Sequence, residues 1–373
     1  MSDELLVAVI VAVRLGVPLL IPLFPLPAIL VCLVVDAGDQ TVLQNQTDLS
    51  LDGYQGYDKA LDIYYLSIAY ASTIRNWTDG FAQRVMAFLW YYRLVGVVAF
   101  ELTDLRWLLM VFPNTFEYVF IAYEAVRLRR DPTQLTHRQV IGLTAFIWIF
   151  VKLPQEWWIH VAQLDFTDFM KEDVFGVTVT TSWADAIGEN LWFLGLVAAA
   201  AVLLVVGWRA LRRRLPEAAW PTTVAVDRHL PPVGELVPGR VPLWSARTAE
   251  RSALVALICV IFASVLPNVD RGPLQTAVGV TALVLANAAV CLWLAGRGVH
   301  WRSTLTQFLG MVAVNAAVLA AFGLVGRSST EEVDGWSLVF FGLLISLLVT
   351  LFDRYHDVRS ARERLDLGDE LLA

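Results

Sequence analysis

Residues 273–295 read PLQTAVGVTALVLANAAVCLWLA, a mainly apolar run without Asp, Glu, Lys or Arg. The hydrocarbon core of a bilayer is about 30 Å thick, and an α-helix needs about 20 mainly apolar residues to cross it. Similar runs occur near 252–268, 304–325 and 336–353. The sequence therefore predicts that the C-terminal part of the chain is a group of membrane-spanning helices.

The overall composition agrees with this interpretation. Hydrophobic residues make up 57% of the 373 residues and charged residues 17%, whereas soluble domains average about 25% charged residues. The net charge of −7 gives no reason to expect a nucleic-acid partner. Because Cys32, Cys259 and Cys291 lie in apolar segments, we expect free thiols.

Earlier apolar runs predict further spans near 16–35, 58–75, 82–101, 106–127, 139–160 and 186–208. The expected fold is an all-α polytopic membrane bundle of about ten transmembrane helices. The first apolar run extends over 5–35, which is too long for one straight helix, so we expect an interfacial helix followed by a span, or a broken helix. Prolines interrupt spans one, four and five, so the N-terminal half should contain broken or kinked helices.

Basic stretches at 127–130, 212–214, 297–302 and 354–364 end alternate spans. Lys and Arg accumulate on the cytoplasmic side of membrane proteins, so both termini are predicted to be cytoplasmic. The composition suggests the plasma (inner) membrane of a bacterium.

Charge divides the chain into four predicted regions. These are a six-span domain with a polar core (1–208), a cytoplasmic Pro/Arg-rich linker (209–251), a four-span apolar domain (252–355) and a charged cytoplasmic tail (356–373). Charges within apolar runs usually face a protein interior or a water-filled path. The first domain carries Arg14, Arg93, Glu117, Lys152 and Glu156 within such runs, so we expect the functional site there.

The sharpest cluster lies in span five, where Lys152, Glu156 and His160 follow one another at intervals of four residues. This spacing places the three side chains on one helical face, and Pro154 should free a backbone carbonyl beside them. We interpret Glu156 as a cation- or proton-binding group, with Lys152 tuning it and His160 relaying protons. The alternative is an ion pair that only allows the helix to insert.

Span four adds Asn114 and Glu117 near one helical face, with Glu117 close to mid-membrane. Arg93 of span three lies at a comparable predicted depth and is the expected partner of Glu117. We interpret Asn114 and Glu117 as members of the binding site and Arg93 as a tuning cation. The alternative is a buried ion pair that only specifies helix packing.

Carboxylates near the predicted outer ends of the spans form a possible vestibule: Asp36, Asp39, Asp62, Glu101, Asp104 and Glu189. If these ends converge, the vestibule would concentrate cations. It could also hold Ca²⁺ or another divalent cation through oxygen ligands. The alternative is that these acids are simply solvated.

Three functions remain open from the sequence. The first is cation- or proton-coupled transport through an acid-rich, outward-facing site in spans one to six. The second is a membrane-embedded, metal-dependent enzyme acting on a lipid-linked or phosphorylated substrate, although no nucleotide-binding or hydrolase motif is present. The third is a non-catalytic subunit or assembly factor of a membrane complex. The expected partners are the bilayer, a small cation or lipid-like ligand, and another copy or a complex partner.

Overall fold

The computed structural model describes residues 3–46, 54–128, 134–162, 164, 166–214, 241–265, 272–297, 301, 303–325 and 335–372. The structure is 87% helix, and these residues contain no strand. The prediction of an all-α fold is therefore confirmed.

The α-helices follow one another along the chain with short connections. They are α1 (Asp3–Gly16), α2 (Pro25–Gln46), α3 (Tyr54–Asn76), α4 (Gly80–Thr103), α5 (Trp107–Val111), α6 (Thr115–Arg127), α7 (His137–Phe146), α8 (Leu153–Glu156), α9 (Phe166–Asp168), α10 (Trp183–Glu189), α11 (Trp192–Arg214), α12 (Ala246–Val265), α13 (Pro273–Gly296), α14 (Thr304–Val325) and α15 (Gly335–Leu372). A 3₁₀-helix occupies Val17–Leu20, and π-helical turns occupy Ile147–Lys152, Trp157–Val161 and Phe169–Val174.

Four of the described helices are long and apolar enough to cross a membrane: α4, α12, α13 and the part of α15 up to Glu363. A fifth span results if α10 and the Trp192–Gly207 part of α11, which meet at 90°, are counted as one broken crossing. These helices are compatible with a membrane location. The structure thus supports four or five spans among the described residues, and the total of about ten, the membrane concerned and the orientation of the termini stay predictions.

The chain forms two compact units, which divide it at other places than the predicted domains. Unit one contains Met1–Asp104 and Val224–Ala373, and unit two contains Leu105–Thr223. In unit one, α3 contacts α1, α2, α4, α12 and α15, and Leu66, Ile68 and Ala69 of α3 are fully buried. Two of the C-terminal helices, α12 and α15, therefore pack against α3 within unit one, and the predicted domain boundaries stay a prediction.

The first apolar run folds back on itself within unit one. The chain leaves α1 at Gly16, continues through a 3₁₀-helix that contains Pro18, turns, and enters α2 at Pro25. Proline lacks a backbone donor and fits the first turn of a helix, which explains why a new helix starts there. The turn is fixed by α3, because Arg75 Nη1 and Asn76 Nδ2 both donate to the carbonyl of Pro22, at 2.6 and 3.2 Å. The run 5–35, expected to be an interfacial helix followed by a span or a broken helix, is thus divided between α1 and α2, and the span near 16–35 stays a prediction.

Unit two places its polar residues at irregular helical segments. Helix α7 begins with a capping box, in which Thr136 and Gln139 satisfy each other's backbone donors. It continues as a π-helical turn, the short α8 around Pro154, and a second π-helical turn. Because Pro154 cannot donate to the carbonyl one turn earlier, the regular ladder is interrupted there. Such wide turns recur at functional sites, and Lys152, Glu156 and His160 all lie in this stretch.

Candidate functional site

One arginine of unit one is shared by four aspartates. Arg14 lies in the last turn of α1 with its side chain 3% exposed. Its Nη1 contacts Asp39 Oδ2 at 2.5 Å and Asp58 Oδ1 at 2.7 Å, while its Nη2 contacts Asp62 Oδ1 at 2.9 Å and also binds Asp36. Helices α1, α2 and α3 thus each contribute charged side chains to one group. We call this group, Arg14 with its four aspartates, the Arg14 cluster.

The Arg14 cluster holds more negative charge than its arginine compensates. One guanidinium faces four carboxylates, so the net charge is −3 when all are ionised. Removing such charges from water costs free energy unless they are neutralised. Burial raises the pKa of Asp36 to about 6, reinforced by repulsion from Asp58 and opposed by attraction to Arg14. The cluster therefore favours taking up a proton or another positive charge.

The geometry of the carboxylates also suits a cation. One oxygen from each of Asp36, Asp58 and Asp62 can be chosen so that the three lie within 4.8 Å of one another. Hard cations such as Ca²⁺ bind oxygen ligands at about 2.3–2.6 Å, so three oxygens at this spacing could share one ion. These residues are half-buried, which leaves a route to solvent.

Two tyrosines border the Arg14 cluster. Tyr64 donates its hydroxyl to the carbonyl of Leu15 at 2.9 Å, which ties the end of α1 to α3. Tyr57 lies within electrostatic range of Arg14 and Asp39. Its buried hydroxyl oxygen has no hydrogen-bond partner among the described residues. The Tyr57 hydroxyl is thus an unsatisfied polar group beside the carboxylates.

A second polar cluster in unit two is centred on Glu156, which is 3% exposed. Lys152 Nζ contacts Glu156 Oε1 at 3.1 Å, and His160 Nε2 contacts Glu156 Oε2 at 3.1 Å. The backbone N–H of Asn114 also donates to Glu156 Oε1, at 3.2 Å. The polar stripe predicted from the spacing in span five is therefore present, and we call it the Glu156 cluster.

Asn114 joins two buried carboxylates in this unit. Its side-chain Nδ2 donates to Glu117 Oε2 at 2.9 Å, while its backbone binds Glu156. Asn114 directly precedes α6 and follows Pro113, so its backbone donor is not used by a preceding helix. Lys152 also donates to Gln155 Oε1 at 3.0 Å and stands 4.7 Å from the ring centre of Tyr118. The structure thus brings Glu156, Glu117, His160, Asn114 and Lys152 together.

The other predicted site residues lie elsewhere. Arg93 is buried in α4 of unit one and Glu117 belongs to unit two, so their pairing stays a prediction. Glu101 accepts a hydrogen bond from Ser264 of α12 at 3.0 Å. Asp104 caps α4 with a positive φ of 56°, and Glu189 ends α10 in unit two. A single vestibule containing all six predicted carboxylates stays a prediction, but Asp36, Asp39 and Asp62 do converge.

Three charged residues outside the predicted site set, Arg14, Asp58 and Glu250, make polar contacts in unit one. Two signals in the sequence were available for the first two. Arg14 interrupts an apolar run, where a charge needs counter-charges, and Asp58 lies one helical turn before Asp62. The third residue is Glu250 of α12, whose Oε1 accepts from Tyr70 at 2.6 Å and Tyr91 at 3.1 Å. No local pattern indicated that α12 would bring a carboxylate to α3 and α4.

Comparison with known protein families, with curated proteins and with solved structures finds no match to this chain.

Proposed function

We propose that this chain is a membrane protein that couples the movement of protons or small cations to a change of its conformation, with the Arg14 cluster as the ion-binding site. The observation that carries the proposal is the ratio of four aspartates to one arginine at a partly enclosed point. Ionisable residues in such surroundings are costly and commonly mark ion pathways.

Arg14 acts in this proposal as a tethered counter-cation. It binds carboxylates of α2 and α3 from the end of α1, so it holds three helices together while no other cation is present. An incoming ion competes for the same oxygens, and protonation weakens their attraction to the guanidinium. Either event changes the relative stability of the arrangements in which Arg14 is bound and released, which is the requirement for coupling.

The Glu156 cluster would serve as a proton relay. An imidazole can accept a proton at one ring nitrogen and pass one on from the other, and the His160 side chain is 17% exposed while the Glu156 side chain is 5% exposed. A proton arriving at His160 would thus meet a carboxylate whose other oxygen already faces Lys152. The contact of Lys152 with Tyr118 offers the ammonium a second position when Glu156 becomes neutral.

The test is ion flux into proteoliposomes containing the purified full chain, followed with an internal pH-sensitive dye or an ion-selective dye. Under a proton or cation gradient, we expect flux in the wild type and its loss in the double variant Asp36→Asn/Asp62→Asn. Glu172→Gln is the matched control, because Glu172 is an exposed acid outside both clusters and should retain wild-type flux. A folded Asp36→Asn/Asp62→Asn variant with wild-type flux would contradict the assignment.

The spacing of the Asp36, Asp58 and Asp62 oxygens also favours a second candidate, a metal-dependent enzyme acting on a lipid-linked or phosphorylated substrate. A divalent ion on these carboxylates would neutralise phosphate oxygens and activate a water molecule, after Arg14 had moved away. This function predicts turnover of a phosphorylated lipid that requires a divalent cation, in vesicles that show no ion flux.

A further inference from the structure

Asn114 stands at the N-terminal cap position of α6, but its side chain does not cap that helix. Asparagine at this position usually accepts, through its side-chain oxygen, a hydrogen bond from a backbone N–H of the first turn. In this structure the side chain of Asn114 makes no capping hydrogen bond, and its Nδ2 donates to Glu117 Oε2 at 2.9 Å. The side-chain oxygen therefore lacks its usual partner.

The oxygen that remains is buried. Asn114 is 7% exposed, and its Oδ1 has no hydrogen-bond partner among the described residues. The next residue repeats this feature, because Thr115 is 1% exposed and its Oγ1 also has no partner in the part of the chain that the structure describes. Buried polar atoms are almost always hydrogen-bonded, and a bound ion is one explanation of an exception. Two neighbouring residues thus offer buried oxygen atoms to a ligand.

The surroundings of these oxygens carry negative charge. The backbone N–H of Asn114 donates to Glu156 Oε1 at 3.2 Å, and its Nδ2 donates to Glu117, so one residue contacts two buried carboxylates. Glu156 also binds Lys152 at 3.1 Å. The N-terminus of a helix attracts anions, and these carboxylates already provide them. Oxygen atoms without donors beside two carboxylates therefore suit a cation.

The kind of oxygen atom favours a monovalent cation. Ca²⁺ is usually held by several carboxylates, whereas Asn114 Oδ1 and Thr115 Oγ1 are neutral and Glu117 adds one carboxylate beside them. The helix is also interrupted at this point, since residues 112–114 separate α5 from α6. Interrupted helices form the sites of coupling ions in many transporters.

We infer that the start of α6 is a second cation site, which takes one Na⁺ or K⁺ ion through Asn114 Oδ1 and Thr115 Oγ1, with the charge balanced by Glu117. The site belongs to unit two, whereas the Arg14 cluster belongs to unit one. The inference rests on the proposed function for the purpose of the ion, which would compete with protons for the carboxylates of unit two. The binding itself can be measured without transport.

Equilibrium binding to the purified full chain in detergent tests the site. The probes are radioactive Na⁺, and radioactive Rb⁺ as a substitute for K⁺. The chain carries Asp36→Asn/Asp62→Asn, so that the Arg14 cluster cannot account for a bound ion. We expect one bound ion per chain. In Thr115→Val the Kd should rise at least about tenfold, because even residues that only orient metal ligands are worth that factor in affinity.

Thr115→Val has a second signature, which a merely structural role of the hydroxyl would not produce. Valine nearly keeps the shape of threonine and removes a buried hydroxyl without a partner, so the melting temperature without Na⁺ or K⁺ should equal or exceed that of the parent chain. Saturating cation should raise the melting temperature of the parent but not of the variant. Thr115→Ser keeps the oxygen and should retain ion binding.

Thr350→Val is the matched control. Thr350 of α15 lies in unit one, is fully buried, and also has a hydroxyl without a partner among the described residues. It should tolerate valine equally well, and the variant should keep the full response to the cation.

Two results would overturn the inference. The first is the absence of a bound ion in the Asp36→Asn/Asp62→Asn chain, which would mean that water alone satisfies the two oxygens. The second is ion binding in Thr115→Val equal to that in Thr350→Val. Thr115→Ala replaces the valine variant if it fails to fold, and the same comparison in the wild-type chain decides if the double aspartate variant fails to fold. A wild type without ion flux would refute the proposed function instead, and the binding result would stand.

Discussion

Replacing Arg14 by glutamine should destabilise unit one strongly at alkaline pH. The variant leaves Asp36, Asp39, Asp58 and Asp62 facing one another without their shared cation. Removing one partner of a buried ion pair costs about 3–5 kcal/mol. We expect the lower limit, about 3 kcal/mol, because three of the aspartate side chains are 22–31% exposed and water screens part of their repulsion. At roughly 2 °C per kcal/mol for a chain of this size, the melting temperature should fall by about 6 °C.

Acid should rescue this variant. Without Arg14, the repulsion among the carboxylates is relieved when one or more of them bind protons, so the folded variant binds protons more tightly than its unfolded chain. Such protons contribute stability at low pH that is lost as the pH rises. The difference in melting temperature between wild type and Arg14→Gln should therefore shrink between pH 8 and pH 5. Thermal unfolding in detergent, followed by intrinsic tryptophan fluorescence, measures both values.

Arg297→Gln provides the matched control, since its guanidinium is exposed and faces a tryptophan instead of carboxylates. Its melting temperature should stay within about 1 °C of the wild type at both pH values, as is usual for surface substitutions. If Arg14→Gln also melts within 1 °C of the wild type at pH 8, Arg14 does not hold the four aspartates and the reasoning fails.

Three further predictions concern the pH profile of Asp36, the orientation of the termini and the Glu156 cluster. Because the pKa of Asp36 is raised from 3.8 to about 6, its protonation stabilises the folded state below pH 3.8, and this stability is lost as the pH rises through about 6. In Asp36→Asn, the melting temperature plotted against pH should not show this loss. A pH profile identical to that of the wild type would contradict the prediction. Both termini are predicted to be cytoplasmic, so impermeant reagents should label Leu5→Cys and Ser360→Cys from the same side of a vesicle; labelling from opposite sides would contradict that orientation. Glu156→Gln should leave Lys152 without its carboxylate and lower the melting temperature by several degrees, whereas Glu172→Gln should not; equal values would show that the Glu156 cluster carries no stability.

Local patterns predicted the helical architecture and the Glu156 cluster. Lys152, Glu156 and His160 lie within nine residues of one helix, so their spacing alone places them on one face. Asn114 and Glu117 are also close in sequence, and the break at Pro113 frees the backbone donor that reaches Glu156. These contacts depend on helical periodicity and on proline chemistry, both of which can be recognised in a sequence.

The Arg14 cluster and the contacts of α15 with α3 depend on packing between distant segments, which no local pattern specifies. The break between α1 and α2 was predicted from the prolines, but the direction in which the chain continues was not, because a run of apolar residues has the same composition whether it crosses once or folds back. That reversal determines which acids reach Arg14. Similarly, Glu250 and Arg362 belong to segments expected to be a linker and a tail, and their contacts with Tyr70 and with the end of α3 arise only in the folded unit.

Ion binding to the Arg14 cluster is the most direct test of the account. The melting temperature of the purified chain should be measured against pH and against increasing Na⁺, K⁺, Mg²⁺ and Ca²⁺, beside Asp62→Asn. Binding to the folded state stabilises it by about 2.7 kcal/mol at a hundredfold excess over Kd. The account predicts saturable stabilisation by protons or by one of these cations, and its loss in Asp62→Asn. A melting temperature that responds to none of them, or that responds equally in both proteins, would contradict it.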